Sequence, residues 1–94
     1  MKDKVAYITG GTKGIGFGIA QVLLQNGIIV AISGRKQEDA ESAANHLSKD
    51  QSMVLGIASD VKNFEDEKNA VSEIIKKFGR LDYVIANAGL GIFK

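Results

Sequence analysis

The stretch that decides the fold runs from Val5 to Gly16 and reads VAYITGGTKGIG. Its first five residues, Val5 to Thr9, are apolar, rich in β-formers and bounded by glycines, which predicts a buried strand. The residues from about Gly14 to Gln25 predict a helix, because apolar side chains recur there at close to helical spacing, at Ile15, Ile19, Val22 and Leu23. Gly27 ends this helix because glycine tolerates the left-handed conformation. A strand, a glycine-rich turn and a helix are therefore expected in succession.

The rest of the chain repeats this alternation of strand and helix. Further strands are predicted at residues 28–32, 53–58 and 81–86, and a second helix from Glu38 to about Ser48. Asn63 is suited to cap a third helix, which Gly79 ends. The order β-α-β-α-β-α-β predicts an α/β protein with a parallel sheet in a single, incomplete domain over residues 1–94.

The apolar faces of the helices predict how they pack. Ala40, Ala43, Ala44 and Leu47 form the inner face expected for the second helix, and Ala70, Val71, Ile74, Ile75 and Phe78 that of the third. Both tyrosines, Tyr7 and Tyr83, lie in predicted strands and are interpreted as core residues, and His46 as a half-exposed surface residue.

Composition narrows the class of protein. The 94 residues are 45% hydrophobic and 24% charged, with a formal net charge of +1, which is typical of a globular domain and favours neither nucleic acid nor a membrane surface as a partner. The absence of cysteine excludes disulfides and thiolate-bound metals, and a single histidine gives no reason to expect a metal site. The short apolar run at Val5 does not have the length of a signal sequence, so a cytoplasmic location is expected.

The glycine-rich turn predicts a phosphate site. Because it joins a strand to a helix, a phosphate there meets backbone N–H groups and the positive end of the helix dipole. The spacing Gly10-x-x-x-Gly14-x-Gly16 differs from the general dinucleotide pattern and from the P-loop. The interpretation is a site for the pyrophosphate of a nicotinamide dinucleotide, and the alternative is a turn that binds no ligand.

Three motifs together carry a resemblance to a known family. Thr9-Gly10-x-x-x-Gly14-x-Gly16, Asp60-Val61 after the third strand and Asn87-Ala88-Gly89 after the fourth resemble the short-chain dehydrogenases/reductases over essentially the whole chain. The resemblance implies a Rossmann-type three-layer fold with strand order 3-2-1-4, truncated after the fourth strand. Where the family has two asparagines this chain has Ala86 at the first.

The resemblance also implies a set of cofactor-binding residues. The glycine turn would hold the phosphates, Asp60 and Val61 would border the adenine ring, and Asn87-Ala88-Gly89 would border a ribose. With the basic residues considered next, the candidate set is Gly10, Thr12, Lys13, Gly14, Ile15, Gly16, Arg35, Asp60, Val61, Asn87, Ala88 and Gly89.

Charge at the end of the second strand favours NADP(H) over NAD(H). Enzymes of this fold that use NAD place a carboxylate there to bind the ribose 2′-hydroxyl, and Gly34 stands at or beside that position. Arg35 follows, and a guanidinium suits a 2′-phosphate because it donates bidentate, charge-assisted hydrogen bonds. Lys13 resembles the second basic residue of NADP-preferring members. The alternative is that Lys13, Arg35 and Lys36 are ordinary solvated cations.

No residue of this chain is assigned a catalytic role. The resemblance implies general acid–base catalysis by a tyrosine that acts with a lysine four positions further along the chain. In this chain the residue four positions after Tyr7 is Gly11, and the residue four positions after Tyr83 is Asn87. The first hypothesis is therefore the NADP(H)-binding portion of an oxidoreductase that acts on a carbonyl or secondary alcohol, of the 3-oxoacyl or small-ketone type, with the 94-residue chain inactive alone.

Two further hypotheses stay open. One is a nucleotide-binding half-domain or interaction module without turnover, and the other is an unrelated doubly wound protein with a similar turn. If the strand order is 3-2-1-4, two helices would cover one face of the sheet and one helix the other. Self-association through the exposed edge of the fourth strand or the barer sheet face is therefore expected.

Overall fold

The computed structural model describes residues 4–12 and 14–86 and contains the predicted alternation of strands and helices. In chain order the elements are β1 (Val5–Thr9), α1 (Gly14–Gln25), β2 (Ile29–Gly34), α2 (Gln37–Leu47), β3 (Val54–Ala58), α3 (Phe64–Phe78) and β4 (Tyr83–Ala86). The bounds predicted for β1 and α1 are confirmed. The prediction for β2 was wrong at its carboxyl end, since the strand continues two residues further to Gly34, and β4 begins at Tyr83 instead of residue 81.

The four strands form one parallel sheet in the order β3-β2-β1-β4, which confirms the predicted 3-2-1-4 order. β1 lies in the interior, where Tyr7 pairs with Ala31 of β2 on one side and with Val84 of β4 on the other. All five residues of β1 are buried, as a continuously apolar parallel strand covered on both faces should be. The carboxyl ends of the strands therefore meet at one edge of the sheet.

The two faces of the sheet are covered unequally, as predicted. On one face α1 and α2 pack over a core that includes Ile8, Ile32 and Val54. On the other face α3 packs alone, with Ala70 and Ile74 against Val5, Tyr7 and Ala31. Two helices on one face and one on the other follow from right-handed crossovers in this strand order.

The ends of α3 are as predicted. The Asn63 side chain accepts a hydrogen bond of 3.1 Å from the backbone N–H of Asp66, and so satisfies a donor in the first turn. Gly79 adopts the left-handed conformation, with φ of 84°, and its N–H donates to the carbonyl of Ile75 at 2.7 Å.

Four apolar side chains are exposed, and burial was predicted for two of them, Ile75 and Tyr83. Ile15 and Val22 of α1 are 72% and 55% exposed, because the helix approaches the sheet through the small residues Gly16 and Ala20. Ile75 of α3 is also exposed, and Tyr83 is 40% exposed on the edge strand β4, so its interpretation as a core residue was wrong. Tyr7, in contrast, is a core residue as predicted.

A carboxylate just before β4 bonds to β1 at the amino end of the strands. Asp82 accepts hydrogen bonds from the Arg80 guanidinium at 2.8 and 2.9 Å and from the backbone N–H of Val5 at 2.8 Å. Bonding to Arg80 in particular lowers the pKa of the Asp82 carboxyl below its ordinary value. None of the helices in the described residues has both the length and the apolar character to cross a membrane.

Candidate functional site

The glycine-rich turn has the backbone geometry that a phosphate site requires. Gly10 and Gly14 both have φ of 66°, a conformation that side chains disfavour. A Cβ on Gly11 would lie 2.7 Å from Cγ2 of Ile32, so the turn packs tightly against β2 at Gly11. A Cβ on Gly14 would meet no atom within 4 Å, so the opposite side of the turn is open. The space beside Gly14 allows a pyrophosphate group to approach the backbone.

The helix that follows the turn supplies donors and a favourable field. α1 begins at Gly14, and its first-turn N–H groups have no partner within the helix. The first turn carries no acidic residue to compete for them. Gly10 has a different role, because its N–H donates to Oγ of buried Ser33 at 3.3 Å and ties the turn to β2. The donors available to an anion are therefore those at the start of α1, where Ile15 stands exposed.

The end of β2 touches the glycine turn. A Cβ built on Gly34 would lie 2.7 Å from Cγ2 of Thr12, which places the Thr12 methyl directly over this glycine. Gly34 also accepts a 2.9 Å hydrogen bond from the N–H of Ser59, the residue before Asp60. Arg35, which is exposed, follows Gly34 directly. The structure thus brings together the turn, the candidate 2′-phosphate ligand and the segment after β3.

Asp60 has a structural role in its own turn. Its Oδ1 accepts a hydrogen bond of 2.9 Å from the N–H of Lys62, and its own N–H donates to Oδ2 of Asp66 at 3.0 Å. The side chain is half-buried, and Val61 beside it is 41% exposed. Asp60 therefore caps the turn after β3, and this role is compatible with an adenine ring lying against the exposed Val61 beside it.

A cluster of three polar side chains, of which Tyr7 and Ser59 are buried and Glu67 is half-buried, supports that turn, and sequence reasoning did not find it. Tyr7 Oη donates to Oε2 of Glu67 at 2.8 Å, and the Ser59 hydroxyl donates to the same oxygen. Tyr7 is 1% exposed, and its burial raises its pKa to about 12, with the Glu67 carboxylate adding to the rise. The available signal was a tyrosine in an otherwise aliphatic strand, since a buried phenol needs a hydrogen-bond partner.

A groove of about 520 Å³ opens beside the glycine turn, between α1 and α2. Its lining residues are Thr12, Gly14, Phe17, Asp39, Ser42, Ala43 and His46. The described lining contains a carboxylate and neither lysine nor arginine, so the groove itself offers little attraction to a phosphate. His46 is exposed, and its Nδ1 lies 2.8 Å from the carbonyl oxygen of Ser42 within α2.

Part of the candidate set lies outside the described residues, namely Lys13, Asn87, Ala88 and Gly89. β4 nevertheless ends at Ala86, which pairs with Thr9 directly before the glycine turn. β4 therefore ends at the edge of the sheet at which the described candidates gather. Within residues 4–12 and 14–86, no three potential metal ligands from histidine, aspartate and glutamate come together.

Comparison with known proteins identifies the family. Residues 4–94 match the family described as short chain dehydrogenase, and the chain therefore belongs to the short-chain dehydrogenases. It is 46% identical over 91 residues to the peroxisomal 2,4-dienoyl-CoA reductase SPS19 of Saccharomyces cerevisiae, covering 93% of this chain and 31% of that protein.

Solved structures of other reductases have a similar architecture. The C-domain of a bacterial malonyl-CoA reductase with NADP superimposes with a TM-score of 0.87 at 36% identity, over 95% of this chain and 15% of that one. The 3-ketoacyl-(acyl-carrier-protein) reductase of Brucella melitensis complexed with NADH gives 0.80 at 32% identity, over 88% and 33%. The chain spans about a third of the length of the curated relatives it matches.

Proposed function

We propose that this chain is the NADP(H)-binding portion of an oxidoreductase that transfers hydride between NADPH and a carbonyl or secondary alcohol. The observation that carries the choice of cofactor is Arg35, placed directly after Gly34 where β2 meets the glycine turn. NAD enzymes of this fold place a carboxylate at the end of the second strand, where it binds the ribose 2′-hydroxyl and would repel a 2′-phosphate. A glycine followed by a guanidinium has the opposite preference.

The comparisons support a nicotinamide dinucleotide and are divided on which one. A structure with NADP and a structure with NADH are both among the similar folds. Dinucleotide selection therefore has to be argued from this chain's own charges, and Arg35 with Lys13 favours NADP(H) over NAD(H). The substrate class we propose, a 3-oxoacyl group or a small ketone, is in keeping with the 3-ketoacyl reductase among the similar structures.

The proposal is tested by exchanging the charge at Arg35. We expect Arg35→Asp to weaken NADPH binding by roughly 10- to 100-fold, because a charge-assisted hydrogen-bond partner is replaced by a repelling carboxylate, and to leave NADH binding relatively favoured. Binding is measured by fluorescence titration of each reduced dinucleotide. Lys49→Asp is the matched control, since it makes the same charge change on an exposed residue just beyond α2, toward the opposite edge of the sheet. An unchanged ratio of the two dissociation constants in Arg35→Asp would contradict the assignment.

The 94-residue chain is proposed to bind the cofactor without turnover. The carbonyl oxygen that accepts hydride needs a proton donor, and neither Tyr7 nor Tyr83 has a lysine four positions on. Tyr7 is moreover buried, with its hydroxyl engaged by Glu67. We expect no oxidation of NADPH by the chain with a panel of ketones, measured by absorbance in the presence of saturating cofactor. Steady oxidation that depends on the ketone would show that this chain contains an acid catalyst.

A further inference from the structure

We propose that Thr12 and Gly34 act together as a specificity-determining pair, so that neither position sets the choice of dinucleotide alone. The inference rests on the proposed function, because it concerns how this site separates NADPH from NADH. It starts from one contact: a Cβ on Gly34 would lie 2.7 Å from Cγ2, 3.4 Å from Oγ1 and 3.6 Å from Cβ of Thr12.

The space beside Gly34 is occupied by Thr12. Real Cβ atoms essentially never approach another heavy atom to 2.7 Å, so any side chain at position 34 requires Thr12 to move. Gly34 needs no left-handed conformation, which leaves contact with Thr12 as the obstacle to a larger residue. Thr12 is β-branched, so few χ1 rotamers are available to it. Rotation about χ1 would also move its hydroxyl away from its present position in the turn.

The contact links two parts of the site that bind different groups of the cofactor. Position 34 lies at the end of β2, where NAD enzymes of this fold have the carboxylate that binds the ribose. Thr12 belongs to the turn that would hold the pyrophosphate. A carboxylate introduced at position 34 therefore disturbs the phosphate turn as well as adding an acid. The gain in affinity for NADH is expected only when Thr12 is also reduced in size.

The test is a double-mutant cycle with Gly34→Asp and Thr12→Ser. Serine lacks the methyl that obstructs position 34 and keeps the hydroxyl. Gly34→Asp alone is expected to weaken both NADPH and NADH, and the double variant to bind NADH about 10-fold more tightly than Gly34→Asp does. Thr12→Val with Gly34→Asp is the matched control, because valine keeps two γ-carbons, and no gain in NADH affinity is expected from it. An equal NADH affinity in Gly34→Asp and in both double variants would overturn the inference.

A second cycle needs no cofactor and separates the inference from the proposed function. Gly34→Ala adds only the Cβ that would meet Thr12, so it is expected to lower the melting temperature. Adding Thr12→Ser is expected to restore most of that loss in the double variant. Additive melting temperatures would overturn the pairing whatever the chain binds. If the wild-type chain binds neither dinucleotide while this cycle is non-additive, the steric pairing stands but the cofactor assignment fails, and with it the selectivity role.

Discussion

Tyr7 carries a phenol into the core, where its hydroxyl and that of Ser59 converge on one oxygen of Glu67. The cluster ties the middle of β1 and the segment before Asp60 to the first turn of α3. Ser59 is 3% exposed, so it is removed from solvent almost as completely as Tyr7. Buried polar groups of this kind stabilise a fold only when every member keeps its partner.

Because of this cluster, the free energy of unfolding should decrease at alkaline pH. The Tyr7 pKa is about 12 in the folded chain against an ordinary value of 10.0, so the folded state favours the protonated phenol. The stabilisation is complete below pH 10 and is lost as pH rises from 10 through 12, because the unfolded chain ionises first.

Tyr7→Phe measures this effect directly. At about pH 8 we expect the variant to be destabilised by about 1 kcal/mol, since a hydrogen bond to Glu67 is lost while Ser59 remains. Between about pH 8 and about pH 11 the wild-type chain should lose about 1.4 kcal/mol relative to the variant. Urea unfolding at both pH values gives the two differences. If the free energies of unfolding of wild type and variant differ by the same amount at both pH values, the pKa of Tyr7 is the same in the folded and unfolded chains, which would contradict the prediction.

At the scale of elements, α2 lies against β3 with almost no space between the backbones. A Cβ on Gly56 would lie 2.2 Å from the carbonyl oxygen of Ala40, and Gln37 at the start of α2 accepts a 3.1 Å hydrogen bond from the N–H of Ala58. Small residues on both elements, Gly56 and Ala40, therefore set the distance between helix and sheet. This packing places Gln37 and the residues just before it at the carboxyl edge of the sheet.

Gly56→Ala should disturb that packing. The added carbon would overlap backbone atoms that cannot rotate away, and we expect a loss of about 1–3 kcal/mol in the free energy of unfolding. Gly18→Ala is the control within α1, where an added Cβ meets nothing within 4 Å and should stabilise the helix by about 0.5–1 kcal/mol. Denaturant unfolding distinguishes the two. Equal effects of both substitutions would mean that α2 can move away from β3.

Element types could be predicted from sequence because each is encoded locally. The run at Val5, the cap at Asn63 and the stop at Gly79 act within a few residues, and their predictions are confirmed. Exposure depends on distant elements, which is why the predictions that Ile75 and Tyr83 are buried were wrong. Local spacing does not show which apolar residues another element will cover.

The candidate site divides in the same way. The glycine turn, Arg35 and Asp60 were located by motif and by position at strand ends. The contact of Thr12 with Gly34 joins residues 22 positions apart, and the bond from Tyr7 to Glu67 joins residues 60 positions apart. Such contacts follow from the register of the strands, and no local pattern specifies them.

At the scale of the whole molecule, the described residues place two helices on one face of the sheet and one on the other, with β4 at the edge of the described sheet. Val84 is 60% exposed and Tyr83 40% exposed on this strand. Within the described residues β4 pairs only with β1, so its outer edge offers backbone donors and acceptors to another strand. Self-association through this edge remains our proposal.

Val84→Lys tests the edge. We expect the wild-type chain to associate increasingly with concentration and Val84→Lys to stay monomeric, because a lysine on an edge strand opposes pairing. Sedimentation velocity across a range of concentrations measures both. Val22→Lys makes the same change on an exposed position of α1 and should leave association intact. A wild-type chain that remains monomeric at high concentration would contradict the proposal.

The central claim is that the edge where the glycine turn, Gly34 and Arg35 meet binds a nicotinamide dinucleotide and prefers the one with a 2′-phosphate. The most direct measurement is a titration of the purified chain with NADPH and, in parallel, with NADH, followed by nicotinamide fluorescence. The account predicts saturable binding of both, with NADPH the tighter. Saturation by neither, or tighter binding of NADH, would contradict it.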